Sequence, residues 1–344
     1  MGTYPPRKNK TIKYTTTCII DGTALLKLAY HGAKNLYNSK GQHIGGLFQF
    51  FSITRKVIKE YNVNSLIVFW DGKFSGKLRH NIYPEYKQNR KKDYNNEIRD
   101  IDEELEYQKI RIKQYLEELS IKQFEDDVVE ADDCIAYYVM NKPNNEKIII
   151  CTGDRDLCQL IDTNISVYLF DKKRIVDIEN YNSVFDYHIR NLKLIKIIAG
   201  DSSDNIKGIE RIGEDTLLKL FPELKEKECT VDEIVDKAKV LQEGKKSKSK
   251  VLQNLIDKNT IGIQGNMIYE INNKLINLST PLLTEKCLVD LYTFIETPLD
   301  PEGREIKNLL NMMMDDEFLK EIPGNSEAFI DYLRPFIHLK EVKH

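Results

Sequence analysis

The chain has 344 residues, 41% hydrophobic and 31% charged, which is length enough to bury one large core or two moderate ones and excludes a low-complexity or disordered class. No run of about eighteen apolar residues occurs, which argues against a membrane-spanning helix, and the basic N-terminus (Arg7, Lys8, Lys10, Lys13) lacks the apolar stretch of an export signal. A formal net charge of −3 provides no overall attraction to nucleic acid, so any such binding depends on where the charges lie.

In chain order, TTCII (16–20) is β-rich and ends at Asp21. Residues 46–60 place Leu47, Phe50, Phe51, Ile53 and Val57 at helical spacing. SLIVFW (65–70) reads as a buried strand ending at Asp71, and KIIICT (147–152) as another, followed by Gly153 and Asp154. ISVYLF (165–170) is a fourth strand, with RIVDI (174–178) as its pairing partner. Strands alternating with helices predict a parallel α/β sheet, in which ligands gather beyond the carboxyl ends of the strands. Asp21, Asp71 and Asp154 all stand at such ends, and Gly22 and Gly72 suit a sharp turn after the first two.

Between Gly72 and Leu119 charge is dense and apolar residues are sparse, which fits a charged helical excursion from the sheet. Alternation of strand and helix fades after about residue 191. GDSSDNIKGIERIGEDTLLKLF (200–221) has the chemistry of a loop, a hairpin and a helix starting near Glu214. EGKKSKSK (243–250) reads as an exposed loop, and Met312 to Met314 as core filler. The six cysteines (18, 134, 151, 158, 229 and 287) form no CxxC pair and read as buried reduced thiols. The six histidines show no ligand spacing, and only His80 lies in a segment with chemistry.

Nine acids stand out by placement: Asp21, Asp71, Glu130, Asp132, Asp133, Asp154, Asp156, Asp201 and Asp204. Taken singly, an Asp after a strand or opening a helix is usually a cap. Taken together, carboxylates gathered at one cleft repel one another unless cations enter. Their hard oxygens select Mg²⁺ or Mn²⁺. Two such ions about 4 Å apart suit phosphodiester cleavage. Segment 77–92 carries Lys77, Arg79, Lys87, Arg90, Lys91 and Lys92 against Glu85 alone, with Tyr83 and Tyr86 interleaved. A helix over 86–93 would set Lys87, Arg90 and Lys91 on one face to neutralise a phosphate while a tyrosine stacks on a base. Gly208 and Gly213 in GIERIG suit a tight hairpin whose backbone N–H groups hold a phosphate.

These segments resemble the 5′-nucleases, the group of phage 5′→3′ exonucleases, flap endonucleases and the N-terminal nuclease domain of bacterial DNA polymerase I. The resemblance rests on IDGTALL (20–26), VFWDG (68–72), RHNIYPEYKQNR (79–90), VEADDCIA (129–136), TGDRDLCQLI (152–161) and GDSSDNIKGIERIGEDTLLKL (200–220), which occur in the family's order. It implies a PIN-like core at 1–190, a mostly parallel sheet flanked by helices, with a helical arch at about 73–119. It also implies a helical DNA-binding region at 191–344, with a helix–three-turn–helix at about 195–221. One Mg²⁺ would be held by Asp21, Asp71, Glu130 and Asp132, with Asp133 near or on it. A second would be held by Asp154, Asp156, Asp201 and Asp204. Mn²⁺ is the expected substitute, and K⁺ the expected ion at the helix–three-turn–helix.

By the same resemblance Lys87 and Arg90 contact the scissile phosphate, and Arg79, Tyr83, Tyr86, Lys91, Gly208, Ile209, Ile212 and Gly213 bind DNA. The implied enzyme is a cytoplasmic, phage-like 5′-nuclease acting on DNA with a 5′ flap, nick or branch, with replication proteins as expected partners and no membrane. The alternatives are a nuclease directed at RNA or RNA–DNA hybrids, and a junction-binding protein without catalysis.

Overall fold

The computed structural model describes residues 15–89, 101–142, 146–244, 247–259, 267–297, 304–324 and 326–339. Strand β1 (Thr15–Asp21) leads straight into helix α1 (Gly22–Gly32). Helix α2 (Gly45–Glu60), strand β2 (Ser65–Asp71) and short helix α3 (Lys77–Ile82) follow. Helix α4 (Ile101–Glu118), strand β3 (Lys122–Asp126), helix α5 (Ala131–Met140) and strand β4 (Glu146–Thr152) come next. A 3₁₀ turn (Arg155–Leu160) separates β4 from β5 (Ile165–Leu169) and β6 (Arg174–Val176).

The strands order as β3-β2-β1-β4-β5-β6. All neighbours are parallel except β5 and β6, which pair antiparallel, as the short spacing between their sequences demands. From β1 the chain builds outward to β2 and β3, then returns to β4 on the other side of β1. Connections therefore leave β1 and β4 in opposite directions and open a crevice beyond their carboxyl ends. Strand β3 was not legible as a strand. KQFED has one apolar side chain in five, and it lies at the sheet edge, where only Phe124 and Asp126 are buried.

The central strands are buried on both faces, which explains their continuous apolar runs. One face carries α5, the 3₁₀ turn and the helices between residues 192 and 296; the other carries α1, α2 and α4. On the second face Trp70 stacks on Phe50 at 5.7 Å between centroids, and burial of side chains this large stabilises by roughly 1.5–3 kcal/mol each. Gly22 and Gly72 serve close packing here, not a turn with positive φ. A Cβ on Gly22 would lie 2.6 Å from the Trp70 ring, and one on Gly72 would lie 2.2 Å from the Asp126 carbonyl.

After β6 come α6 (Leu192–Ala199), a two-residue β7 (Gly200–Asp201) paired with β8 (Ile206–Lys207), and α7 (Glu214–Leu220). Next are α8 (Val231–Glu243), α9 (Lys250–Asp257), α10 (Met267–Ile276) and α11 (Glu285–Glu296). Last are α12 (Ile306–Asp315) and α13 (Ser326–Ile337). Residues after 191 do not form a separate body. Phe318 and Phe336 pack against Phe51, and Leu309 and Met313 complete the α1–α2–α4 layer. Met313 fills core as expected, while Met314 is exposed. All six cysteines are free and buried, and no helix among the described residues is long and apolar enough to cross a membrane.

Candidate active site

Asp21 and Asp71 are the last residues of β1 and β2, and Asp154 follows β4 by two residues. Asp21 does cap α1: its Oδ1 accepts the Ala24 N–H at 2.9 Å and its Oδ2 accepts the Thr152 hydroxyl at 3.0 Å. Thr152 Oγ1 also accepts the Asp154 N–H at 2.9 Å, so one hydroxyl spaces the two strand-end acids. Asp71 is fixed across the cleft, its Oδ1 accepting from Ala131 N–H and its own N–H donating to Thr23 Oγ1, both at 2.9 Å. Asp132, one residue into α5, faces the same acids. Capping and convergence thus coexist, because each carboxylate oxygen has two lone pairs.

Electrostatics show that these acids feel one another. Burial, then Asp71 and Asp154, push the Asp21 carboxyl up to about 7. Burial, then Asp154, Asp21 and Asp71, push Asp132 well above the usual carboxylate range. Among the described residues no lysine or arginine pairs with Asp21, Asp71, Asp132 or Asp154.

The other acids have resident cations. Asp156 and Asp201 share the ammonium of Lys196, which lies 2.7 Å from Asp201 Oδ2 and is in contact with Asp156. Burial and Asp154 still hold Asp156 up near 7, whereas in Asp201 the lysine and the Ser203 N–H and hydroxyl outweigh burial and pull the carboxyl below its ordinary range. Glu130 is buried, yet Arg79 at 2.5 Å and Lys87 at 2.5 Å hold it below the usual range. Tyr86 donates its hydroxyl to Glu130 at 3.1 Å and lies 3.2 Å from Asp204.

The structure moves several sequence expectations. Asp133 does not join the cleft acids. It is 1% exposed, both its oxygens face the Arg79 guanidinium, and Oδ1 also accepts the Leu282 N–H at 2.9 Å. Arg79 is correspondingly a brace, not a surface contact for DNA: it is 5% exposed and donates to the Leu275 carbonyl at 2.9 Å. Tyr83 and Tyr86 are buried against Ile206, Leu275 and Ile276, so neither presents a ring for a base. His80 is exposed and meets Tyr86 edge-on at 5.7 Å. Residues 84–89 form turns and not the start of a helix; Lys87 has φ 55°. Arg90 and Lys91 lie outside the described residues. Lys87 nevertheless reaches the cleft: its N–H donates to the Asp204 carbonyl at 2.8 Å and its ammonium lies between Glu130 and Asp204.

In the hairpin, Gly208 is required because a Cβ there would lie 2.1 Å from the Ala199 carbonyl group. Gly213 has open space and no such constraint. The side chains of Ile209 and Ile212 are buried, and their N–H groups donate to the Ile198 and Ile209 carbonyls at 2.8 and 3.1 Å. Those two amides are therefore already engaged within the protein.

Sequence reasoning missed Lys196, Thr152 and two asparagines that lace 85–89 to 202–205. Asn89 donates to the Ser202 carbonyl and Asn205 to the Glu85 carbonyl, both at 2.7 Å. The only signal for Lys196 was its place as one of two lysines in the largely apolar run LKLIKIIA, five residues before Asp201.

A family model described as the 5′-3′ exonuclease N-terminal resolvase-like domain matches residues 16–186. The 5′-3′ exonuclease of Mycoplasmopsis pulmonis is 30% identical over 217 residues, 63% of this chain and 69% of that protein. The 5′-3′ exonuclease of Buchnera aphidicola from Acyrthosiphon pisum is 31% identical over 215 residues, 61% and 71% of the two. DNA polymerase I of Lactococcus lactis subsp. cremoris is 27% identical over 296 residues, 81% of this chain but 31% of that one. Among solved structures, the zinc-bound T5 5′-exonuclease superimposes with a TM-score of 0.60 at 23% identity, covering 86% of this chain and 99% of that chain. The T5 D15 protein co-crystallised with metal ions gives 0.59 at 22%, covering 87% and 99%. At these identities the two structures establish the shared fold.

Proposed function

The chain belongs to the 5′-3′ exonuclease family, and from that premise we propose that the strand-end crevice is its active site, cleaving branched or nicked DNA at a 5′ strand with two divalent ions. It is a hydrolase of phosphodiester bonds. The single observation that carries the site assignment is the set Asp21, Asp71, Asp132 and Asp154, four mutually interacting carboxylates with no cationic side-chain partner among the described residues, two of them with raised proton affinity.

The donor chemistry fits hard divalent cations. Among the described residues no group of three or more acids, histidines or cysteines is drawn close enough to form a ready-made metal cage. Mg²⁺ needs none, because it keeps several waters and takes one or two carboxylates plus substrate phosphate. Asp21, Asp71, Asp132 and Asp154 would hold one ion, with Glu130 at its edge, and Asp156, Asp201 and Asp204 would complete a second site with Asp154. Bound there, the ions would supply an activated water and stabilisation of the leaving oxygen.

The remaining work falls to the chain's own side chains. Lys87, about a quarter exposed and aimed between Glu130 and Asp204, is placed to offer its positive charge to a phosphate in the crevice. Arg79 fixes Glu130 and α5 from behind. The loop 202–205 and the segment 85–89 are tied together, so the acid Asp204 and the cation Lys87 hold a common position. The hairpin after Gly208 would serve as a further DNA contact, with K⁺ as the ion to test there. Mn²⁺ would substitute for Mg²⁺.

The test is digestion of a 5′-labelled flap substrate and a matched nicked duplex with Mg²⁺, with Mn²⁺ and in EDTA, reading product length. Expected is cleavage near the junction with either ion and none in EDTA. A parallel substrate with an RNA 5′ strand assigns the sugar preference. Tight substrate binding with no product in either metal would replace this assignment with a junction-binding role.

A further inference from the structure

Among the described residues, Lys196 is the lysine whose ammonium pairs with both Asp156 and Asp201 of the second acid group. Its side chain is 22% exposed, and its partners Asp156 and Asp201 are 18% and 10% exposed. Helix α6 delivers it there, and the chain then turns through Gly200 at φ 77° to bring Asp201 back to it. Asp21, Asp71, Asp132 and Asp154 have no such partner among the described residues.

A cation entering between Asp156 and Asp201 meets a positive charge already paired with both. Resting on the metal-centre assignment above, we propose that Lys196 is a built-in counter-ion for the second divalent site. It keeps Asp156 and Asp201 gathered in the absence of DNA and makes occupancy by the second ion conditional on the negative charge of a bound phosphate. Opposite charges at contact distance in a partly desolvated cleft interact far more strongly than at a surface, so the ammonium competes directly with an incoming ion. A lysine suits this role because its compact point charge and flexible stem let it withdraw to the phosphate, which a planar guanidinium does less readily. Lys196 is thus a positioning residue, acting through Asp156 and Asp201.

The experiment is Mn²⁺ binding to the DNA-free full chain, counted from the paramagnetic resonance of free Mn²⁺. The wild type should bind one ion and a second at least about tenfold more weakly. Lys196→Gln keeps an N–H donor for the aspartates but removes the charge, and should tighten the second ion about tenfold. Lys196→Met should do the same if the glutamine variant folds poorly, and Lys196→Arg should keep the second ion weak. Adding uncleavable flap DNA should tighten the second ion in the wild type and change it little in Lys196→Gln. A second ion equally weak in wild type and both neutral variants overturns the inference. So does wild-type binding of two equal ions without DNA. Asp132→Asn separates the two ideas. Loss of the tight ion in that variant, with no effect of the neutral Lys196 variants, leaves the metal centre standing and removes only the lysine's role. Absence of any bound ion in the wild type removes both.

Discussion

The two halves of the crevice solve the same electrostatic problem in opposite ways. In the half built on β1, β2, β4 and Asp132 of α5, Asp21 and Asp71 are held by backbone N–H groups and a hydroxyl with no cationic side chain among the described residues, and mutual repulsion appears as raised proton affinity in Asp21 and Asp132. In the half built on α3, α5 and α6, acids are matched with Arg79, Lys87 and Lys196. Acids of the first kind carry their mutual repulsion without a compensating side chain among the described residues, whereas those of the second are partly neutralised by resident cations. Buried charge is costly unless paired, which is the reason for proposing the unpaired half as the metal centre.

The largest break in this comparison is Asp154→Asn. If the first half is the metal centre, cleavage of the flap substrate should fall by about 10³-fold or more, because several kcal/mol of charge stabilisation disappears. The metal-free melting temperature at pH 8 should hold or rise, since one repelling charge has gone. A lower melting temperature together with near-normal cleavage would make Asp154 an ordinary cap.

Asp133→Ala should do the converse. Removing this carboxylate takes one of two acids from the Arg79 guanidinium, which is 5% exposed and keeps Glu130 as its remaining ion-pair partner. Breaking a buried pair from one side costs about 3–5 kcal/mol. Denaturant unfolding should show that loss with or without Mg²⁺. A stability deficit in the variant that appears only when Mg²⁺ is present would return Asp133 to the metal.

The contrast between Asp154 and Asp133 also shows what a sequence can and cannot reveal. The parallel sheet was legible because β1, β2, β4 and β5 are continuous apolar runs, and the strand-end acids were legible because each run stops at or next to an aspartate. Adjacent Asp132 and Asp133 were indistinguishable as letters. On a helix they point about 100° apart, and only the tertiary contacts, with the Leu275 carbonyl holding Arg79 and the Leu282 N–H donating to Asp133, decide which one meets Arg79. Tyr86 misled for a related reason: an aromatic among lysines reads as a stacking platform, and its burial depends on α10, nearly two hundred residues away. Lys196 had no local motif, because its partners come from the turn after β4 and from the hairpin after α6.

Lys87→Met sharpens the comparison from the braced side. Lys87 is paired, but about a quarter exposed, so it is the brace best able to reach substrate. Its removal should lower turnover by about 10²-fold, the scale of one preorganised charge at a reacting group, with a smaller change in stability than Asp133→Ala. Tyr86→Phe, which keeps the buried ring and removes only the hydroxyl bonds to Glu130 and Asp204, should cost about 1 kcal/mol of stability and little activity. A large fall in turnover for Tyr86→Phe would show that the acid–cation halves are coupled through that hydroxyl.

The smallest effect is the one most specific to the unpaired half. The Asp21 carboxyl lies near 7 against an ordinary value of 3.8. A raised folded-state value means that the folded chain holds a proton the unfolded chain has released. This group's contribution to stability is therefore most favourable below about pH 4 and is lost as pH climbs towards 7, where the carboxylate ionises beside Asp71. A divalent ion reverses the preference, since it binds the ionised form and expels the proton. Calorimetric titration of Mg²⁺ at pH 6 in two buffers of different ionisation enthalpy should therefore show release of about one proton with the first ion, and almost none at pH 8.5. Asp21→Asn should abolish most of that release while Asp133→Ala leaves it in place. Identical apparent enthalpies in the two buffers at pH 6 would mean that the first ion does not meet a protonated acid, and that the strand-end carboxylates are not where it binds.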